Sequence, residues 1–134
     1  MWLSKKLSED SRNYEKDEAQ IGNLTIANGS TVAASSSSEV RGVPIFCPSG
    51  IRFSPCENQK ILLFKANGKT VSAGTLMESD ASLLPGEIQI FSAGGASITL
   101  KNNGNVIING KCTIDKYGNI DTAGNISAAD FIGY

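Results

Sequence analysis

An all-β fold is predicted from three observations. Short runs of β-branched and aromatic residues recur from about residue 20 onward, and Asn-Gly pairs and prolines separate them. No segment keeps a convincing helical period of apolar residues. The third observation is a repeat: Ser97-Ile-Thr-Leu-Lys-Asn-Asn-Gly-Asn-Val-Ile-Ile-Asn-Gly110 lies in register over Lys111-Cys-Thr-Ile-Asp-Lys-Tyr-Gly-Asn-Ile-Asp-Thr-Ala-Gly124, and Asn125-Ile-Ser-Ala begins another copy.

Residues 1–17 form a charged leader whose large apolar groups are Trp2, Leu3, Leu7 and Tyr14. The spacing of Leu3 and Leu7 permits a turn or two of helix, but polar residues run through the rest, so a flexible or partner-bound tail is expected. Gln20-Ile-Gly-Asn-Leu-Thr-Ile-Ala27 then alternates weakly into an Asn28-Gly29 hairpin signal, and the serine run at 35–38 reads as a loop. Denser β segments follow: Val40-Arg-Gly-Val-Pro-Ile-Phe46, Gly50-Ile-Arg-Phe53, Lys60-Ile-Leu-Leu-Phe-Lys-Ala66, the Asn67-Gly68 turn, Lys69-Thr-Val-Ser-Ala-Gly-Thr-Leu-Met77 and Gly86-Glu-Ile-Gln-Ile-Phe91. The unbroken apolar run from Ile61 to Phe64 reads as a central strand covered on both faces. Pro44, Pro48, Pro55 and Pro85 fall at joints, where a missing amide donor does least harm. Five or six strands in roughly seventy-five residues suit a small barrel of OB-fold size. Residues 18–92 are therefore assigned to the barrel and 93–134 to the repeat.

The repeat keeps Thr99/Thr113, Gly104/Gly118, Asn105/Asn119 and Gly110/Gly124 identical, and Ile98/Cys112/Ile126, Leu100/Ile114 and Val106/Ile120 in register. Such units are β-helix signatures, because each has an apolar side that a neighbour must cover. Burying the roughly nine apolar side chains of one copy falls well short of the backbone entropy of ordering the segment. A lone ribbon also leaves its edges unpaired. Several copies winding together resolve both problems, and the expected assembly is a homotrimeric, intertwined triple-stranded β-helix. On a threefold axis Ile98, Leu100, Val106, Ile108, Cys112, Ile114, Ile120 and Ile126 would stack as an apolar core, with Thr99, Lys101, Lys111, Thr113, Lys116 and Asp121 outside. Gly104, Gly110, Gly118 and Gly124 are expected at corners.

Composition excludes several functions. The formal net charge is -1 and the isoelectric point is near 5.4, which removes the footprint of a nucleic-acid binder. Histidine is absent, so there is no Ser/His or Cys/His nucleophile pair and no imidazole metal ligand. Glu78, Asp80 and Glu87 flank turns and read as solvated charges, leaving no acid pair for catalysis. Cys47, Cys56 and Cys112 have no metal-ligand spacing, and an odd count argues for free, buried thiols. With neither a signal-length nor a membrane-spanning apolar stretch, the chain is expected to be made in the cytosol.

Arg41-Gly-Val-Pro-Ile-Phe-Cys-Pro-Ser-Gly-Ile-Arg-Phe-Ser-Pro55, Lys60-Ile-Leu-Leu-Phe64, Leu84-Pro-Gly-Glu-Ile-Gln-Ile-Phe91 and Gly94-Gly-Ala-Ser-Ile-Thr-Leu100 together resemble the baseplate assembly protein V family. That family contains the central spikes of Mu-like contractile phage tails, and similar proteins occur in phage-derived bacteriocins. The resemblance covers residues 20–134. It implies a non-enzymatic, trimeric spike with an OB-fold collar and a triple-stranded β-helix, assembled in the bacterial cytoplasm and placed at the distal tip of the particle. There it would cap the tube and pierce the target cell envelope. Trp2, Leu3 and Leu7 would then dock on baseplate hub or tail-tube proteins.

Two features depart from the family pattern. The family's apical His-x-His iron site has no counterpart in a chain without histidine, so no apical iron and no other cofactor is expected. The usual Pro-x-x-Gly turn reads Pro55-Cys-Glu-Asn58, with Asn standing for a left-handed residue. The apex would be closed by Phe131, Ile132 and Tyr134, which would also be the first surface to meet lipid or cell wall. An alternative for Asp130 is to face the axis and offer three carboxylates to a hard cation. Two competing functions are a β-helical receptor- or glycan-binding tail fibre and a polysaccharide-cleaving tailspike. The first would need exposed aromatics beyond Tyr117, Phe131 and Tyr134, and the second a groove with an acid pair.

Overall fold

A computed structural model describes residues 19–78 and 82–134. Among these residues the chain forms ten strands in two antiparallel sheets, with no helix and hence none long and apolar enough to cross a membrane. It divides into two compact units, Met1–Glu78 and Ser79–Tyr134.

The first unit contains β1 (Ala19–Asn28), β2 (Thr31–Ser35), β3 (Glu39–Pro44), β4 (Lys60–Ala66) and β5 (Lys69–Thr75), ordered β3-β2-β1-β4-β5. β1 is long because it serves two partners: it pairs with β4 from Ala19↔Phe64 to Asn23↔Lys60, and with β2 from Asn23↔Ser35 to Asn28↔Thr31. The two ends of the sheet meet. Just past β3, Ile45 bridges in parallel to Ser72 of β5, and the Phe46 N–H donates to the Ser72 carbonyl at 2.7 Å. Inward positions recur at every second residue, as strand geometry requires, and Leu24, Val32, Ala34, Val43, Ile61 and Leu63 form the core, with Ala27, Val40 and Ile45 packed against it. Each larger aliphatic side chain buried there contributes about 1.5–3 kcal/mol.

Turn chemistry sets the connections. Asn67 and Gly68 between β4 and β5 have φ of 51° and 75°, the pair of positive values that a two-residue hairpin turn requires. Asn58 is left-handed as expected, with φ of 68°. Its N–H donates to the Leu24 carbonyl at 2.8 Å, and the Gln59 side chain accepts the Cys56 N–H at 2.8 Å, which together hold this turn against β1.

Several expectations for this unit need correction. Gly50-Ile-Arg-Phe53 forms no strand: Pro48 and Pro55 cannot donate to a ladder, and the Ile51 N–H is spent locally on the Pro48 carbonyl at 3.1 Å. The run from Ile61 to Phe64 is covered on one face only. Ile61 and Leu63 are buried, whereas Leu62 is 42% exposed beside its exposed cross-strand neighbour Ile21. β2 was not singled out in the sequence, because its two alanines are poor strand formers, yet Val32, Ala33 and Ala34 are all buried. The cysteines are free but not buried: Cys56 is exposed, and Cys47 and Cys112 are half-buried.

The second unit is a five-strand meander, β6 (Ile88–Phe91), β7 (Ser97–Leu100), β8 (Val106–Ile108), β9 (Cys112–Ile114) and β10 (Ile120–Thr122), each paired with the next. The expected boundary at 92/93 therefore moves upstream. β6 pairs with β7 from Ile88↔Leu100 to Phe91↔Ser97 and belongs with the repeat. Among the described residues the outer edges of β6 and β10 have no partner strand, so the sheet of one chain keeps two unpaired edges, as expected of a lone ribbon.

The fourteen-residue repeat is a repeat of hydrogen bonds. The Gly104 N–H donates to Lys101 O and the Lys101 N–H to Asn105 O; fourteen residues on, Gly118 donates to Asp115 O and Asp115 to Asn119 O, all at 2.9–3.0 Å. Likewise Asn109 N–H to Ser97 O recurs as Ala123 N–H to Lys111 O. Gly104 is needed twice over, because its φ is 89° and an added Cβ would lie 2.9 Å from the Lys116 Cβ in the next loop. The pattern stops at Gly124. That residue aligns with Gly110 but lacks its positive φ, and residues 125–134 form no strand, so there is no following strand for a corner to serve.

Candidate functional site

The site with a consistent chemical character is one face of the second unit. Residues paired across antiparallel strands point to the same face, so the register aligns two rows. One row is Ile88, Leu100, Val106, Ile114 and Ile120; the other is Ile90, Ile98, Ile108, Cys112 and Thr122. Nine of these ten side chains are apolar. The opposite face carries Gln89, Thr99, Ile107, Thr113 and Asp121, with Phe91 paired to Ser97 alongside them. At about 4.8 Å between strands, five strands make each row roughly 19 Å wide.

A single chain leaves this face bare. Ile88, Ile90, Ile98, Leu100, Ile108 and Ile120 are 36–62% exposed, and Val106, Cys112 and Ile114 are half-buried. The register thus gathers seven of the eight residues assigned to the needle core, Ile98, Leu100, Val106, Ile108, Cys112, Ile114 and Ile120, and adds Ile88 and Ile90. The Ile88-Gln-Ile90 alternation is visible in the sequence, and it is the pairing of β6 with β7 that places it with the repeat and not with the barrel. Ile126, the eighth residue, is exposed and lies beyond the last strand.

The polar face has its own chemistry. The Glu87 side chain, expected to be solvated, is 1% exposed and pairs with Lys101 Nζ at 2.6 Å. Its other oxygen accepts the Leu84 N–H at 3.3 Å. Beside it, the Asn102 side chain donates to the Pro85 carbonyl at 3.0 Å, so the segment before β6 is fastened to the β7–β8 loop. Thr99, expected outside, is buried at 9% and accepts a hydrogen bond from Gln89 at 3.0 Å.

In the β9–β10 loop, Asp115 gathers three donors. The N–H groups of Tyr117 and Asn119 donate to Oδ1, each at 2.9 Å, and the Asn119 side-chain amide donates to Oδ2 at 2.8 Å. These bonds, the Asn119 side chain first, hold its carboxyl below its ordinary value. Lys116 lies over the Tyr117 ring, 5.1 Å from its centroid.

The remaining residues singled out in the sequence are not brought together. Asp130, Phe131, Ile132 and Tyr134 follow the last strand and are exposed. Trp2, Leu3 and Leu7 lie outside the described residues, as does Asp80. Among the described residues, no three His, Cys, Asp or Glu side chains cluster closely enough to hold a metal ion. Compared with known proteins, the chain matches no family model and no curated relative.

Proposed function

We propose that this chain is the central spike of a contractile tail or related injection particle. Three copies assemble, the first unit forming an OB-type collar and the second a needle that caps the tube and pierces the target envelope without catalysing a reaction. The observation that carries this reading is the pair of apolar rows on one face of the second unit. Each fully buried aliphatic side chain is worth about 1.5–3 kcal/mol, so leaving eight of them exposed or half-buried, with Cys112 beside them, is a large penalty. A threefold arrangement turns every residue of the rows into a ring of three and makes the penalty the driving force for assembly. A continuous apolar column with polar outer faces is what a stiff, narrow shaft requires.

The first unit supports the same reading. Its order β3-β2-β1-β4-β5, with the two ends meeting through the parallel Ile45–Ser72 bridge, is the order of a five-strand OB barrel. The exposed C-terminal residues Phe131, Ile132 and Tyr134 suit an apex that closes the column and meets the envelope first.

The test is deletion of residues 131–134 in the assembled particle. The truncated chain should still fold and be incorporated, while the particles should lose killing or infectivity. Full activity of particles carrying the truncated chain would overturn the mechanical role.

A further inference from the structure

Four Asn-Gly pairs occur in the chain, at Asn28, Asn67, Asn103 and Asn109, and the two units hold them differently. In the second unit, Asn103 Oδ1 accepts the Asn105 N–H at 3.0 Å, and Asn109 Oδ1 accepts the Ser97 N–H at 2.9 Å. Asn67 opens the β4–β5 turn with nearly the backbone of Asn109: φ is 51° against 52°, followed by Gly at 75° against 65°. Both turns read Asn-Gly-Lys. The Asn67 carboxamide, however, makes no hydrogen bond to any described residue.

We propose that Asn67 is a site of spontaneous covalent modification, deamidation through a cyclic imide, against which the side-chain hydrogen bonds of Asn103 and Asn109 protect the second unit. The Gly68 backbone nitrogen attacks Cγ of Asn67. A C–N bond forms, the nitrogen gives up its proton, and the side-chain nitrogen leaves as ammonia. Water then opens the imide at either carbonyl, leaving aspartate or isoaspartate at position 67. No electrons are exchanged with another reagent, and water is the only co-reactant.

Gly68 has no Cβ to shield the attacking nitrogen. The rate therefore depends on how often the carboxamide carbon reaches a near-attack position beside it. A carboxamide tied to Ser97 must first break that bond, and at Asn103 the attacking Gly104 N–H is itself engaged with Lys101 O at 3.0 Å. Asn28 is a different case, since it is the last ladder residue of β1, opposite Thr31, and its backbone is held by the strand. Each event at Asn67 adds a negative charge at the β4–β5 turn. The isoaspartate product also inserts a backbone methylene into a two-residue turn on which the hairpin register depends.

The experiment is a time course of the folded full-length chain at mildly alkaline pH, with peptide mapping by mass spectrometry and isoaspartate detection, run in parallel in denaturant. In the folded chain Asn67 should convert about fivefold or more faster than Asn109, the factor that one intramolecular hydrogen bond of about 1 kcal/mol represents. In denaturant the two rates should converge, because the local sequence is shared. Equal rates in the folded chain, or faster conversion at Asn109, would overturn the proposal. So would a gap that persists in denaturant, since the difference would then lie in the sequence and not in the fold.

Discussion

The two units use antiparallel strands of similar composition to opposite ends. In the first, the sheet curves until its ends meet, and one chain covers the inward-facing apolar positions: Leu24, Val32, Val43, Ile61 and Leu63 are each 4% exposed or less. In the second, five shorter strands run as a meander, and the nine apolar residues of one face stay exposed or half-buried. A strand of three or four residues cannot curl around a core of its own, whereas β1, ten residues long, can bend between two partners. The first unit thus closes a core of its own within one chain, while Ile21, Leu62, Leu76 and Met77 stay exposed on its outside. The second has a well-defined hydrogen-bonded skeleton and an uncovered face.

The largest expected effect breaks the second unit's assembly while leaving the first unit intact. In the proposed trimer, Val106→Asp or Ile120→Asp would place three like charges around one dry axis, where desolvation and repulsion add. Trimer should be lost in light scattering while the fold of the first unit, followed by its amide spectrum, is retained. Retention of trimer by both variants would mean that this face is not the interface.

Next comes a contrast within β4. Ile61→Ala should cost about 2–5 kcal/mol in denaturant unfolding, as a core truncation does, whereas Leu62→Ala, at a position already 42% exposed, should cost less than about 1 kcal/mol. The reverse ranking would show that the covered face of the first unit has been misassigned.

A smaller effect sharpens the comparison at the β9–β10 loop. Because the Asp115 carboxyl is held below its ordinary value of 3.8, its contribution to the loop is fully present above that value. It is lost as pH falls through the lower folded value. The backbone amide resonances of Tyr117 and Asn119 should therefore shift with a midpoint below 3.8 in an acid titration. A midpoint at or above it would mean that the carboxylate does not hold the loop. The smallest effect is Lys111→Asp, on an exposed turn residue, which should change thermal stability by no more than about 0.5 kcal/mol.

Much of the second unit was legible in the sequence, because its cause is local. Asn-Gly and Gly-Asn turns impose their own backbone geometry, and a period of fourteen brings Leu100, Val106, Ile114 and Ile120 into one row. What the sequence hides is non-local. Glu87 looks solvated beside its neighbours, and only the pairing of β6 with β7 brings Lys101 against it. The same pairing moved Ile88 and Ile90 from the barrel to the repeat. Leu62 sits in an unbroken apolar run from which no period can be read, so only the strand register reveals that it faces outward. The closing contact of Ile45 with Ser72 joins segments far apart in sequence and leaves no mark in either.

The central claim is that the bare apolar face is covered by two further copies of the same chain. Multi-angle light scattering of the purified full-length protein, with circular dichroism on the same sample, tests it most directly. The expected result is a single species of three chains with β-sheet content that persists on dilution. A monodisperse monomer with full β-sheet dichroism would contradict it, because the second unit would then be stable with its apolar face in water.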